Sequence, residues 1–267
     1  MLPEALIDPH RLSSLLGAAC GRFAVDALAE CDSTNSVLLQ RAGQGAPSGS
    51  VVVADRQTAG RGSRGRRWES SPGASLTFSL LWRFEGGVHR LAGLSLAVGV
   101  ALVRALAACG APGITLKWPN DILLDEAKLG GILVELQGAE GCSLAVIGIG
   151  INLAPPPDFE RLPFHLPPTA LARVLRPLPE RHFLFARLLD ELARVLDVFA
   201  CDGFAALRDE WQAYNVWQDR PVCLLREGQV VKEGVCRGAD HDGALLVQTD
   251  SGIERCLSGD VSLRRLQ

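Results

Sequence analysis

Residues 60–68 concentrate four arginines and three glycines in a chain whose formal net charge is −3. They follow a strand-like run at 51–54, so the pattern predicts a loop with a freely bending backbone and a local positive charge. Backbone N–H groups and guanidinium groups can together enclose a small anion. Because no Gly-Lys-Ser/Thr sequence follows and no helix opens directly after the loop, it is neither a P-loop nor a dinucleotide fingerprint. A solvated basic loop and an RNA-contacting loop remain as alternatives.

Two lysines flank a predicted hairpin further along the chain. Lys117 begins the run 117–121 (KWPND), and Lys128 comes shortly before two glycines. A turn at 125–127 returns the chain along itself, so we expect both ammonium groups at the same end of a sheet. Two neighbouring ammonium groups can together stabilise a bound polyanion, whereas in the absence of an anion they repel each other. Asp121 is either a magnesium ligand or a turn residue, and each lysine taken alone also fits an ordinary surface position.

A strand with one bare face is predicted between residues 144 and 153. Isoleucines occupy one face of this strand, and Gly148, Gly150 and Asn152 occupy the other. A glycine face indicates close approach of a ligand or of another chain segment. Asn152 provides a hydrogen-bonding group at its end.

Polar side chains also cluster at the start of a predicted helix. The run 32–35 (DSTN) precedes the helical-looking residues 36–41, where Ser, Thr and Asn are ordinary capping residues. Gln57 is polar and has no role that its sequence context assigns. From spacing alone these residues stay candidates for either capping or ligand binding.

Hydrophobic periodicity predicts the elements that position these residues. Alternation at 76–84 predicts a half-buried strand, and the apolar run 91–108 predicts a buried helix ending at a glycine. Amphipathic helices are predicted at 9–16, 181–200 and 204–214. After Trp217, short strand-like runs at 222–225, 230–236, 245–249 and 256–257 are separated by glycine turns, which predicts a small barrel. We therefore divide the chain into domains at 1–218 and 219–267.

Composition limits the partners. The chain of 267 residues is 48% apolar, and its 30 acidic against 27 basic residues give no general basic field for nucleic acid or an anionic membrane. The longest uncharged helical run lies between Arg90 and Arg104 and is shorter than a membrane span, which needs about 20 residues. The short amphipathic stretch within residues 1–20 is too small for a helix-turn-helix domain. The eight cysteines contain no Cys-x-x-Cys pair. We expect reduced, mostly buried thiols and a cytoplasmic protein without DNA or membrane partners.

Taken in order, these motifs resemble those of the biotin protein ligases, which attach biotin to a lysine of biotin-dependent carboxylases. The resemblance covers nearly the whole chain and rests on the motifs at 32–35, 57–62, 65–68, 117–121, 128–133 and 148–152. It implies an α+β fold: a mixed-sheet, class II synthetase-like catalytic domain followed by a small SH3-like β-barrel. It also implies the single-function type, which lacks the amino-terminal DNA-binding domain of the family's repressor members.

The resemblance assigns roles to individual residues. For biotin it implies Ser33, Thr34, Asn35, Gln57, Arg61, Gly62, Ser63 and Lys128. For ATP it implies Arg64, Arg66, Trp68, Lys117, Asn120 and Asn152, and for magnesium it implies Asp121. Lys128 and Arg61 are the implied catalytic residues. Family members commonly carry a second arginine where this chain has Ser63, and Arg64 is the neighbouring residue that could replace it.

The implied reaction uses ATP, Mg²⁺ and biotin. Biotin is activated to biotinyl-5′-AMP with release of pyrophosphate and is then transferred to a lysine of a biotin carboxyl carrier protein, such as that of acetyl-CoA carboxylase. A homodimer is compatible with this assignment. The nearest rival is a lipoate or octanoate ligase of the same fold, and a more remote one is an RNA-binding module.

Overall fold

A seven-stranded mixed sheet forms the centre of the larger unit. The computed structural model describes residues 6–139, 141–155, 167–257 and 261–266. The strand order is β1-β2-β3-β7-β6-β5-β4, with β1 parallel to β2 and all other neighbours antiparallel. The strands are β1 (Ala24–Cys31), β2 (Ser50–Gln57), β3 (Ser75–Glu85), β4 (Ile114–Lys117), β5 (Asp121–Leu124), β6 (Ala127–Ala139) and β7 (Cys142–Asn152). The expected mixed-sheet α+β fold is confirmed.

Helices cover both faces of this sheet. They are α1 (Pro9–Leu16), α2 (Thr34–Gly43), α3 (Leu94–Ala108), α4 (Arg181–Asp202) and α5 (Arg208–Tyr214). Helices α1, α3, α4 and α5 contribute to the large core. On the opposite face, Leu38 of α2 packs with Val52 and Leu81. The prediction of a half-buried β3 is therefore wrong: Ser79, on its polar face, is 0% exposed. The alternation of apolar and polar residues showed that β3 has two different faces, but not that α2 covers the polar face.

Helix α3 is the apolar helix that the sequence predicts. Together with the short 3₁₀ turn before it, it forms the segment Val88–Ala108, which is long and apolar enough to span a membrane by length and composition alone. Yet 67% of its most apolar window is buried inside the protein. By contrast, the uncharged residues between Arg90 and Arg104 predict a run too short to span a membrane. Packing between the sheet and α4 accounts for the apolar composition.

The smaller unit is an open antiparallel sheet of order β11-β10-β9-β8-β12. Its strands are β8 (Pro221–Arg226), β9 (Gln229–Ala239), β10 (Leu245–Thr249), β11 (Gly252–Cys256) and β12 (Val261–Arg265). Among the described strands the barrel is not closed, although the arrangement fits an SH3-like domain. Sequence reasoning missed β12, because only Val261 and Leu263 mark its apolar face. The division at residue 219 stays a prediction.

All eight cysteines lie in the described part of the chain, and all are free thiols. This confirms the prediction that they form no disulfide framework. The expectation that most are buried is wrong, because only Cys223, Cys236 and Cys256 are buried. Burial raises the pKa of these three thiols, so their environment does not favour reactive thiolates.

Candidate functional site

A tight hairpin places both lysines on one carboxylate. The β5–β6 turn consists of Asp125 and Glu126, which adopt positive φ values of 51° and 58°, and it reverses the chain within two residues. Lys117 Nζ lies 3.0 Å from one oxygen of Asp121, and Lys128 Nζ donates to the other. The expectation that the two ammonium groups meet at one end of the sheet is confirmed.

Asp121 is buried between these two cations. Its burial opposes ionisation, but the charges of Lys128 and Lys117 and their hydrogen bonds outweigh burial and hold the pKa of the carboxyl below its ordinary value. Burial lowers the pKa of Lys117, and Asp121 opposes that shift. The Lys117 ammonium also lies 5.4 Å from the centre of the Trp217 ring, a cation–π contact. The result is a compact charged cluster held in a fixed geometry.

The glycine face of β7 is covered by other chain segments. A Cβ atom on Gly150 would lie 2.3 Å from Cε2 of Trp68, and one on Gly148 would lie 2.2 Å from Oδ1 of Asn35. On the neighbouring strand β6, a Cβ on Gly131 would lie 3.6 Å from Lys128 Nζ and 3.8 Å from the Trp68 ring. Trp68 and Lys128 therefore share one face of the sheet.

The glycine–arginine loop, defined as residues 60–68, folds back on itself over this face. Gly62 N donates to Arg66 O at 2.7 Å, and Trp68 N donates to Gly60 O at 2.9 Å. Arg61 Nη2 donates to Oε1 of Glu135 on β6 at 2.7 Å. Arg61 and Lys128 thus contact two different carboxylates, Glu135 on β6 and Asp121 on β5, and their action on one substrate stays a prediction.

Ser63, the position at which the resemblance implies a second arginine, is bound by Arg66. Arg66 Nη2 donates to Ser63 Oγ at 2.9 Å, and its Nε donates to the Ser63 carbonyl at 3.1 Å. Arg64 instead donates to the carbonyl of Val261 on β12. Arg64 thus joins the loop to the smaller sheet, and its replacement of the implied arginine stays a prediction.

The start of α2 belongs to a buried polar cluster. Thr34 N donates to Gln57 Oε1 at 2.8 Å, and Ser79 Oγ lies 2.7 Å from Thr34 Oγ1 and 2.5 Å from Asn35 Oδ1. Within the described residues, the Ser33 side chain makes no capping hydrogen bond, although Ser33 is the N-cap of α2 and is buried. Ordinary helix capping therefore does not explain Ser33.

Three residues of this site escaped the sequence analysis. Glu135 and Ser79 lie on strands β6 and β3, where the apolar–polar pattern does not mark any residue as a ligand. Arg264 lies on β12, the strand that the sequence pattern did not predict. Arg264 is half-buried, and burial lowers its pKa, while Asp121 opposes that shift and Arg66 adds to it. Arg264 of the smaller sheet therefore acts on Asp121 and Lys117 through its charge. An apolar–polar alternation at 261–265 was the one available signal.

Comparisons with known proteins agree with this arrangement. The family model for the biotin/lipoate A/B protein ligases matches residues 28–152, and the model for the biotin protein ligase C-terminal domain matches residues 219–264. The bifunctional ligase/repressor BirA of Salmonella typhimurium is 39% identical over 263 residues, covering 98% of this chain and 80% of the relative. The chain belongs to the biotin protein ligase family.

A second relative and a solved structure of this family are also similar to the chain. The biotin–[acetyl-CoA-carboxylase] ligase of Paracoccus denitrificans is 35% identical over 229 residues, covering 84% of this chain and 94% of the relative. The biotin protein ligase of Aquifex aeolicus, solved in complex with biotin and ATP, superposes with a TM-score of 0.75 at 31% identity. That superposition covers 92% of this chain and 99% of the Aquifex chain.

Two asparagines expected at the ATP site of the ligase bind backbone groups. Asn120 Nδ2 donates to Ile132 O at 2.8 Å, and Asn152 Nδ2 donates to Thr169 O at 3.0 Å. Lys128 N donates to Pro167 O at 2.7 Å. These bonds hold the β6 hairpin that carries Lys128. The contribution of either asparagine to nucleotide binding stays a prediction.

Three buried side-chain polar atoms have no hydrogen-bond partner among the described residues, and one of them is Trp217 Nε1. The other two, Trp68 Nε1 and Thr77 Oγ1, lie at the glycine face, where Thr77 pairs directly with Gly150. Buried polar groups are nearly always hydrogen-bonded. The two atoms therefore indicate a place where a polar ligand completes the site.

Gly150→Ala tests the contact between the loop and the sheet. Because the added Cβ would lie 2.3 Å from the Trp68 ring, we expect the ring to be displaced and the KM for ATP to rise by about tenfold, in keeping with overpacking costs of ~1–3 kcal/mol. Steady-state kinetics with varied ATP measures this. Gly43→Ala is the control, since its Cβ meets nothing within 4 Å. An unchanged KM in Gly150→Ala would contradict the packing.

Proposed function

We propose that this chain is an ATP-dependent biotin protein ligase. It activates biotin to biotinyl-5′-AMP, releases pyrophosphate, and transfers biotin to a lysine of a biotin carboxyl carrier protein. The observation that carries this proposal is that side chains from separate segments lie over one glycine face. Trp68 and Lys128 lie at Gly131. Arg61 is bonded to Glu135, which also binds Asn35 of the buried polar cluster. The names of the relatives, biotin–[acetyl-CoA-carboxylase] ligases among them, support the same reaction.

The first half-reaction joins two anions. The biotin carboxylate attacks the α-phosphorus of ATP, and two unit charges 4 Å apart repel by about 1 kcal/mol in water and several-fold more in a drier site. Lys128 and Arg61 supply the compensating charge. The resemblance gives Lys128 the role of contacting both the biotin carboxylate and the α-phosphate, where its charge stabilises the negative charge that moves to pyrophosphate.

The residues also fit a magnesium ion. Magnesium prefers oxygen ligands and is commonly held by one or two carboxylates together with substrate phosphates, and Asp121 offers a carboxylate beside the proposed phosphate position. When bound, the ion adds positive charge to the phosphates. Both oxygens of Asp121 accept from lysines in this structure, so the ligand role requires Lys128 to turn from Asp121 toward the substrates.

The remaining residues divide between the two substrates. The cluster of Ser33, Thr34, Asn35 and Gln57 holds the ureido ring, a polar head that must be hydrogen-bonded when buried. Gly62 and Ser63 lie along the valerate. Trp68 covers the adenine, and the residues on the phosphate side are Arg64, Arg66, Lys117, Asn120 and Asn152, with Arg264 joining them from β12.

The second half-reaction needs protection of a reactive product. Biotinyl-5′-AMP is a mixed anhydride that water hydrolyses, so closure of the glycine–arginine loop over it prevents loss of the intermediate. The amine of the acceptor lysine attacks the acyl carbon in its neutral form, and AMP leaves. The concentration of cations beside the site lowers the pKa of an approaching ammonium group.

Partners and location extend this proposal. The acceptor is the carrier domain of acetyl-CoA carboxylase or a related carboxylase, and neither DNA nor a membrane takes part. The eight free cysteines support a cytoplasmic location.

In the described residues, the outer half of β6 pairs only with β7, and such an unpaired edge can pair with a second copy of the chain. The domain division at 1–218 and 219–267 belongs to the same proposal.

Incubation with ATP, magnesium, biotin and a biotin carboxyl carrier fragment tests the proposal. The expected result is a carrier mass increased by one biotinyl group, dependent on ATP. A parallel incubation with lipoate or octanoate tests the nearest rival, because the buried polar cluster fits a fused polar ring better than a flexible acyl chain. Binding of RNA without any acyl transfer would contradict the enzymatic function.

A further inference from the structure

Glu135 links a side chain of the glycine–arginine loop to one of the buried polar cluster. Its Oε1 accepts from Arg61 Nη2 at 2.7 Å, and its Oε2 accepts from Asn35 Nδ2 at 2.8 Å. The side chain of Glu135 is 22% exposed, and that of Arg61 is 44% exposed. One carboxylate thus ties the glycine–arginine loop to the buried polar cluster at the start of α2.

The groups hydrogen-bonded to the two oxygens of Glu135 are both donors. Asn35 Oδ1 faces Ser79 Oγ, its donor at 2.5 Å, so the Asn35 amide directs its N–H groups toward Glu135. The guanidinium group of Arg61 carries only N–H donors and no acceptor atom, and it is always positively charged. Glu135 therefore meets donors on both oxygens, and it neutralises the charge of Arg61.

We propose that Glu135 is a positioning residue that holds Arg61 over the pocket and is exchanged for the substrate carboxylate when biotin binds. This inference rests on the proposed function, in which Arg61 contacts that carboxylate. Before binding, Glu135 keeps the guanidinium neutralised and in place. When biotin binds, its carboxylate replaces Glu135 as the ion-pair partner of Arg61, and Glu135 retains its hydrogen bond with Asn35. Glu135 thereby sets how strongly the pocket prefers an anionic over a neutral end group.

The test compares the Kd of biotin with that of biotinamide, which carries an uncharged amide in place of the carboxylate. Titration calorimetry measures both ligands with the full chain and with Glu135→Gln. Removing the competing charge favours the anionic ligand, so we expect the ratio of Kd(biotinamide) to Kd(biotin) to rise by about fivefold, the range of partly exposed ion pairs. A purely structural role changes both Kd values alike and leaves the ratio unchanged.

Glu210→Gln is the matched control. Glu210 also accepts from an arginine, Arg104, and from a second donor, Tyr214 at 3.2 Å. Its side chain and that of Arg104 are 31% and 35% exposed, close to the values for Glu135 and Arg61. The pair lies between α3 and α5, away from the glycine face, so the ratio should stay at the wild-type value.

Arg61→Gln separates exchange from a general charge effect. In that background, Glu135→Gln should change the ratio by less than twofold, because the guanidinium for which the two carboxylates compete is gone. An equal change in both backgrounds would overturn the exchange, and so would an unchanged ratio in Glu135→Gln alone. If Glu135→Gln does not fold, Glu135→Asp, which withdraws the carboxylate from Arg61, should shift the ratio in the same direction, and no shift would overturn the proposal. Failure of the wild-type chain to bind biotin would instead contradict the proposed function.

Discussion

Lys128→Ala is expected to lower biotin-dependent exchange of labelled pyrophosphate into ATP by at least about a hundredfold, the loss typical of removing one group that stabilises developing charge. In the proposed function Lys128 contacts both reacting anions, and Lys117 does not replace it, because Lys117 is 5% exposed and bonded to Asp121. Binding of biotin should weaken less, because Arg61 and the polar cluster remain.

The fold of Lys128→Ala should persist. The Lys128 side chain is 25% exposed, and Asp121 keeps its hydrogen bond from Lys117 after the change. Lys232→Ala provides the control, since Lys232 pairs with Glu254 on the smaller sheet, outside the site. An exchange rate in Lys128→Ala equal to that of the wild type would contradict the catalytic role.

Asp121→Ala is expected to remove pyrophosphate exchange and to destabilise the protein by about 3 kcal/mol, because breaking a buried ion pair leaves an uncompensated charge. The charge left behind is that of Lys117, which is nearly fully buried and retains its cation–π contact with the Trp217 ring. Urea denaturation of the wild type and the variant at pH 7 measures the difference in the free energy of unfolding.

The pH dependence of this difference provides an independent check. The pKa of Asp121 is lower in the folded than in the unfolded protein, so its stabilising contribution is complete above the unfolded pKa of about 4 and is lost as the pH falls through the folded value. The difference in unfolding free energy should therefore be constant between about pH 5 and 7 and become smaller below about pH 4.

Asp121→Asn is the companion variant, since it keeps the shape of the side chain and one acceptor oxygen. It should unfold at a urea concentration between those of the wild type and Asp121→Ala, while its exchange activity stays as low as that of the alanine variant. Wild-type stability in Asp121→Ala would show that Lys117 does not depend on this carboxylate.

Patterns that act over a few residues determined much of this fold from the sequence. Helix α1 spans Pro9–Leu16, the stretch that the periodicity indicates, and α4 begins at Arg181 as expected. The hairpin at Asp125 and Glu126 followed from turn chemistry, and together with the pairing of Lys117 and Asp121 between β4 and β5 it brought the two lysines onto one carboxylate. The ordered motifs then identified the family, because each keeps its spacing to the next.

Only the tertiary structure decided which side chains complete the site. Arg61 and Glu135 are separated by 74 residues, Thr34 and Ser79 by 45, and Arg64 and Val261 by 197. Periodicity reports which face of an element a residue occupies, but not which distant element covers that face. Trp68 on Gly150, the polar partner of Arg61, and the approach of β12 to Asp121 therefore depend on packing between layers. No local pattern in the sequence encodes that packing.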